Sequence, residues 1–140
     1  MASALRHALA AALPAALGAH EHLAVVADEL QPGDAAGADV LFVQGRQDRL
    51  HAFGCVDGEA PADVARRVAD APANWRWLAV WADAPSRETA AAAAAELGCG
   101  LIALTRAGAV ERLAEAKPNP GTFAKAYPSI RTRWRAIAPW

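Results

Sequence analysis

The chain has 140 residues, enough for one domain with a substantial hydrophobic core and no need of covalent staples. A formal charge of −1 at pH 7 argues against nonspecific nucleic-acid binding by the whole surface and leaves room only for a local basic patch. Two cysteines, Cys55 and Cys99, are too few and too far apart in sequence for a disulfide framework or a zinc motif, so a reduced, cytoplasmic protein is expected.

The N-terminal stretch MASALRHALAAALPAALGAH has a basic residue, an apolar run and a small-residue site near Leu17, a loose outline of a signal peptide. The run is mostly alanine, however, and Leu5, Leu9, Leu13 and Leu17 recur every four residues, as one stripe of an amphipathic helix does. Ser3 is the expected N-cap, Gly18 the stop, and Pro14 a kink or restart. No other run approaches membrane-spanning length, and no membrane partner is expected.

HLAVVADEL (22–30) reads as a strand with a β-branched centre, and QPGDAAG then breaks regular structure. ADVLFVQG is a continuous apolar strand, GRQDR a polar turn, and LHAFGCVDG (50–58) the next strand. Three strands joined by short turns predict an antiparallel meander. Pro61 suits the first position of a helix running to about Asp70, with Val64, Ala65, Val68 and Ala69 on its apolar face. WRWLAVWAD is again a strand. Ser86 and Glu88 favour the start of an alanine-rich helix, and Gly98 and Gly100 stop it. LIALT is a short buried strand, GAVERLAEAKPNP a further strand-like segment at the sheet edge, and about 122–138 a closing helix. The order α-β-β-β-α-β-α-β with a tail helix predicts one α/β domain over residues 1–140: a central mixed sheet, meander plus β-α-β crossover, flanked by helices.

This element order, with the acid-bearing second strand in AGADVLFV, resembles the PD-(D/E)xK, or restriction-endonuclease-like, nuclease superfamily over about residues 3–118. The resemblance implies an Asp at the start of the second strand and a (D/E)-x-K tripeptide on the third. There the carboxylates hold Mg²⁺ and the lysine orients or activates the attacking water. Asp39 matches the first acid, with Ala38 in place of the usual Pro. Gly54-Cys55-Val56 stands where the tripeptide belongs, and residues 50–56 hold neither carboxylate nor lysine in any register. The chain is therefore expected to be a degenerate member. Residual catalytic candidates are Asp39, Asp28, Asp57 and Glu21, the last matching a region where some of these nucleases place an extra metal-binding Glu. Arg46 or Arg49 would serve as a phosphate clamp but not as a base, since arginine does not deprotonate.

Other chemistry is sparse. His20, His22 and His51 would form a nitrogen-rich metal site only if the fold brought them together. Cys55, within an apolar strand, reads as a small buried hydrophobe. Trp75, Trp77 and Trp81 alternate onto one face of their strand, as core first and as an interface second; beside Arg76 they would stack nucleobases. Arg131, Arg133 and Arg135 make the tail helix the most basic segment, fit to grip phosphates or acids on a partner.

Three functional readings follow. The first is a catalytically inactive nuclease-like module that binds nucleic acid or a protein partner, with homodimerisation an option and no cofactor. The second is a divergent nuclease with a relocated site around Asp39, which alone would need Mg²⁺. The third is a structural or regulatory subunit without nucleic-acid affinity.

Overall fold

The structure is a computed structural model that describes residues 3–18, 21–30, 33–45 and 47–137. Helix α1 (Ser3–Leu17) leads into β1 (His22–Val26), a single 3-10 turn (Ala27–Glu29), β2 (Val40–Gln44) and β3 (Arg49–Cys55). Then follow α2 (Pro61–Ala69), β4 (Trp75–Trp81), α3 (Arg87–Glu96), β5 (Gly100–Leu104), β6 (Val110–Ala114) and, after a second 3-10 turn, α4 (Pro128–Ile137).

The six strands form one sheet in sequence order, β1 to β6. β1, β2 and β3 pair antiparallel, β3, β4 and β5 pair parallel, and β6 returns antiparallel to β5. The α/β class and the meander-then-crossover order match the sequence expectation. The two parallel joints need crossovers, and α2 and α3 supply them on the same face, as two right-handed connections in one direction require.

Each face of the sheet has its own core. Leu5, Leu9 and Leu13 of α1 pack with Val40, Phe42, Phe53, Cys55, Trp77, Ala79, Ile102 and Leu104. On the other face Val64, Val68, Ala90, Ala94, Ile130 and Trp134 bring α2, α3 and α4 against Leu41, Val43, Leu50, Leu78, Val80 and Leu101. The period-two alternation of β2 to β5 between these sets is what a sheet covered on both sides demands.

Several boundaries differ from the sequence expectation. The first strand ends at Val26, because Ala27 to Glu29 tighten into the 3-10 turn while Ala27 N–H donates to Asp39 O. Pro14 lies inside a continuous α1, which runs on through it. The tail helix starts at Pro128, not at 122, since proline fits a first helical position and bars helix in the residue before it. The expected end of that helix at Ala138 lies outside the described residues.

Candidate functional site

The entry to β2 is the place to look. Asp39 N–H donates to Phe53 O, so the residue is fixed at the edge of the meander beside the end of β3. Its side chain is 3% exposed, yet carries a charge, and every part of that charge is answered. Oδ1 meets Arg6 Nη2 of α1 at 2.7 Å. Oδ2 meets Arg67 Nη2 of α2 at 3.0 Å and accepts the Cys55 backbone N–H at 2.7 Å. One carboxylate thus ties the helices of opposite faces to the central strands.

The network extends outward in alternating sign. Arg6 Nη1 reaches Asp28 at 2.7 Å, and Arg67 Nη2 reaches Glu59 at 2.9 Å. Arg67 Nη1 also donates to Gly37 O at 2.6 Å. Gly37 has to be glycine: its φ is +90°, and a Cβ there would lie 2.5 Å from Arg67 O. Burial disfavours the Arg67 cation, but its hydrogen bonds to Asp39 and Glu59 outweigh that and raise its pKa.

The tripeptide position is closed sterically as well as chemically. A Cβ on Gly54 would stand 2.6 Å from Val64 Cγ1 and 3.3 Å from Val68 Cβ, so α2 occupies the space a carboxylate would need. Cys55 and Val56 are buried. Burial, reinforced by the Asp39 charge, pushes the Cys55 thiol pKa well above its ordinary value.

The remaining candidates are dispersed. Asp28, on the 3-10 turn, is exposed and joins Asp39 only through Arg6. Asp57, after β3, lines a separate cleft with Trp81, Asp83, Ser86 and Arg106. Glu21 sits across from Gly45, whose N–H it accepts at its backbone oxygen. That is the far end of β1 from Asp39, about 16 Å away along a five-residue strand. The geometry therefore brings Asp28 near Asp39, and does not bring Glu21. Arg46 and His20 lie outside the described residues. His22 and His51 do not converge, because the Phe42 ring stands between them, 5.6 Å from His22 and 6.1 Å from His51. Among the described residues no three His, Cys, Asp or Glu side chains gather as a metal ion would require.

On α4, Arg131 and Arg135 line a groove with Lys125, Pro128 and Thr132, of about 330 Å³, with no acid among the described residues that line it. Arg133 points elsewhere, pairing with Glu29 at 3.7 Å. Arg49 stands at the opposite end of the sheet from Asp39, its guanidinium 5.8 Å from the centre of the Trp75 ring.

The tryptophan strand divides in two. Trp77 is core, while Trp75 and Trp81 are half-buried at the ends of β4. Arg76, expected beside the rings, faces away and donates to Ala71 O. Arg49, Arg106 and Arg112 take that place instead, over Trp75, Trp81 and Trp77 respectively. His51 stacks on Trp75 at 4.4 Å and accepts the Trp77 indole N–H at Nδ1, so its neutral ring carries the proton on Nε2. Burial, with Arg112 adding to it, lowers the His51 pKa to about 3.

Sequence reasoning missed Arg6 and Arg67. Arg6 directly follows Leu5 of the buried stripe, so it borders the sheet, and Arg67 flanks Val68 on α2 in the same way. A charged residue next to a core position on each of two helices was the available signal.

No family model matches the chain, and no curated protein matches it. Among solved structures, a protein of unknown function from Silicibacter pomeroyi is similar in fold, with a TM-score of 0.54 at 18% identity. The match covers 94% of this chain and 90% of that one. The class that fold and geometry define is an α/β protein, with a six-stranded mixed sheet and four helices among the described residues. No helix among the described residues is long and apolar enough to cross a membrane.

Proposed function

We propose that the protein is a catalytically inactive, restriction-endonuclease-like module that binds nucleic acid through the basic groove of α4. The observation that carries the reading is the state of Asp39, whose two oxygens are held by Arg6 and Arg67 at 2.7 and 3.0 Å. Divalent-metal hydrolysis needs carboxylates with oxygens turned to a shared ion. Here the one acid at the expected position is already neutralised by two cations, and Gly54 leaves no second ligand beside it. Neither arginine can act as a base. The element order and the acid at the entry of β2 support the family assignment.

Binding rests on Lys125, Arg131 and Arg135, three cations converging on one groove with no carboxylate among its described lining residues. Three phosphate contacts on duplex DNA correspond to a salt slope of about −2.7, a loss of roughly 40-fold between 50 and 200 mM salt.

Two assays test this. With Mg²⁺ or Mn²⁺ present, single-stranded, duplex and branched DNA should remain uncut. Metal-dependent cleavage that Asp39→Ala abolishes would overturn inactivity. A gel-shift titration across salt should give the slope above and lose it in Arg131→Ala/Arg135→Ala; absence of binding at 50 mM salt would reject the nucleic-acid reading in favour of a protein partner.

A further inference from the structure

At the end of the sheet remote from Asp39, a second cleft has features that the arginine network does not explain. It measures about 460 Å³ and is lined by Arg49, Asn74, Trp75, Pro118, Asn119 and Pro120. That lies within the range of about 300–1,000 Å³ usual for small-ligand sites. No carboxylate is among the described residues that line it. From its walls and charge we infer that this cleft takes an unpaired nucleotide, the base stacking on Trp75 and the phosphate meeting Arg49. The inference rests on the nucleic-acid reading above and specifies the form of strand that is bound.

The cleft is preformed. Asn74 is 1% exposed and spends both amide protons and its oxygen on backbone partners. Its Oδ1 accepts the Leu50 N–H at 2.9 Å, and its Nδ2 donates to Asn119 O at 2.9 Å and Gly121 O at 3.0 Å. Asn119 returns a bond from Nδ2 to Ala73 O at 3.1 Å. The Pro118-Asn119-Pro120 segment is thereby pinned over the start of β4, and two prolines stiffen it further. Little ordering remains to be done when a ligand enters, which favours binding.

Trp75 is suited to be the stacking platform. One side of it is backed by the His51 ring at 4.4 Å with a 19° tilt, which fixes the indole, while the residue as a whole remains half-exposed. Stacking on an aromatic ring tolerates any base but requires that the base be unpaired. Arg49 is the cation: its guanidinium hydrogen-bonds Gln47 Oε1 at 3.0 Å and makes no ion pair among the described residues. His51 supplies no charge, because its buried ring stays neutral.

A neighbouring cleft of about 470 Å³ shares Arg49 and Pro120 and continues past Gln47 and Thr122. It also holds Asp48, whose carboxylate accepts the Trp134 indole N–H at 2.7 Å. That charge repels a phosphate, which places the anion on the Trp75 side of Arg49.

The test is fluorescence anisotropy with a labelled oligothymidylate and the matching duplex, on the full chain. The single strand should bind more tightly than the duplex. Trp75→Ala should weaken single-strand binding roughly five- to 150-fold, the range reported for loss of one base–aromatic stack, whereas Trp75→Phe retains most of it. Arg49→Ala, with its fold checked by urea denaturation, should weaken binding and reduce the salt slope by about 0.7. If Trp75→Ala and Arg49→Ala both stay within twofold of wild type while Arg131→Ala/Arg135→Ala loses binding, the cleft is not the site and the proposed function stands. If the wild type binds neither probe, both fall together.

Discussion

Lowering the pH should destabilise this protein through one residue, His51. The imidazole is 4% exposed and packed between Trp75 and Phe53, with Nδ1 committed to the Trp77 indole N–H. Protonation would put a proton on the atom that now accepts that bond, and would bury a cation near Arg112. The folded pKa is therefore held at about 3, against 6.5 for an unfolded chain. Below 6.5 the unfolded state takes up a proton that the folded state refuses, so stability is complete above pH 6.5 and declines as pH falls toward 3. At about 1.4 kcal/mol per pH unit, moving from pH 7 to pH 5 should cost about 2 kcal/mol. Urea denaturation of the wild type and of His51→Asn, in which Oδ1 keeps the acceptor for Trp77, isolates the effect. All other ionisable groups are common to the two proteins, so the difference between them reports on residue 51. The variant should lose about 2 kcal/mol less than the wild type over this interval. Equal losses would refute the reasoning, and would mean that the His51 ring is hydrated or that Trp77 bonds elsewhere.

Gly54→Ala places a methyl 2.6 Å from Val64 Cγ1 and should cost about 1–3 kcal/mol by overpacking; urea denaturation measures it, and pairing the change with Val64→Ala should return part of the loss. Asp39→Ala should destabilise by about 3 kcal/mol in the same assay, because it strands Arg6 and Arg67 without their shared partner. Cys55 and Cys99, both buried with pKa raised first of all by burial, should resist iodoacetamide at pH 8 and react once urea unfolds the chain; modification of the folded protein would show that the sheet opens there.

The sequence carried the elements of this molecule because most are encoded locally. The leucine stripe of α1 follows a helical period, Pro61 marks the first turn of α2, and the short apolar runs of β2 to β4, bounded by turn residues, have the length of buried strands. Link lengths did part of the rest: the tight turn between β2 and β3 compels antiparallel pairing and the helical links allow parallel pairing, whereas the longer segment between Val26 and Val40 leaves the β1–β2 direction to the tertiary fold. The missing acid and lysine on β3 were equally visible, being a matter of residue type alone.

What fills their place was decided by the tertiary fold. Arg6 and Arg67 are 61 positions apart in sequence and lie on helices covering opposite faces, yet both end on Asp39. A long guanidinium side chain can run along apolar surface for several ångströms before its charge must be met, so no local pattern says which acid it will find. The same holds for the cleft at Trp75, built by a segment near residue 119 that Asn74 fastens from 45 positions away. Periodicity reports which side of an element is buried; which charges and rings meet across elements depends on how the layers are placed over one another.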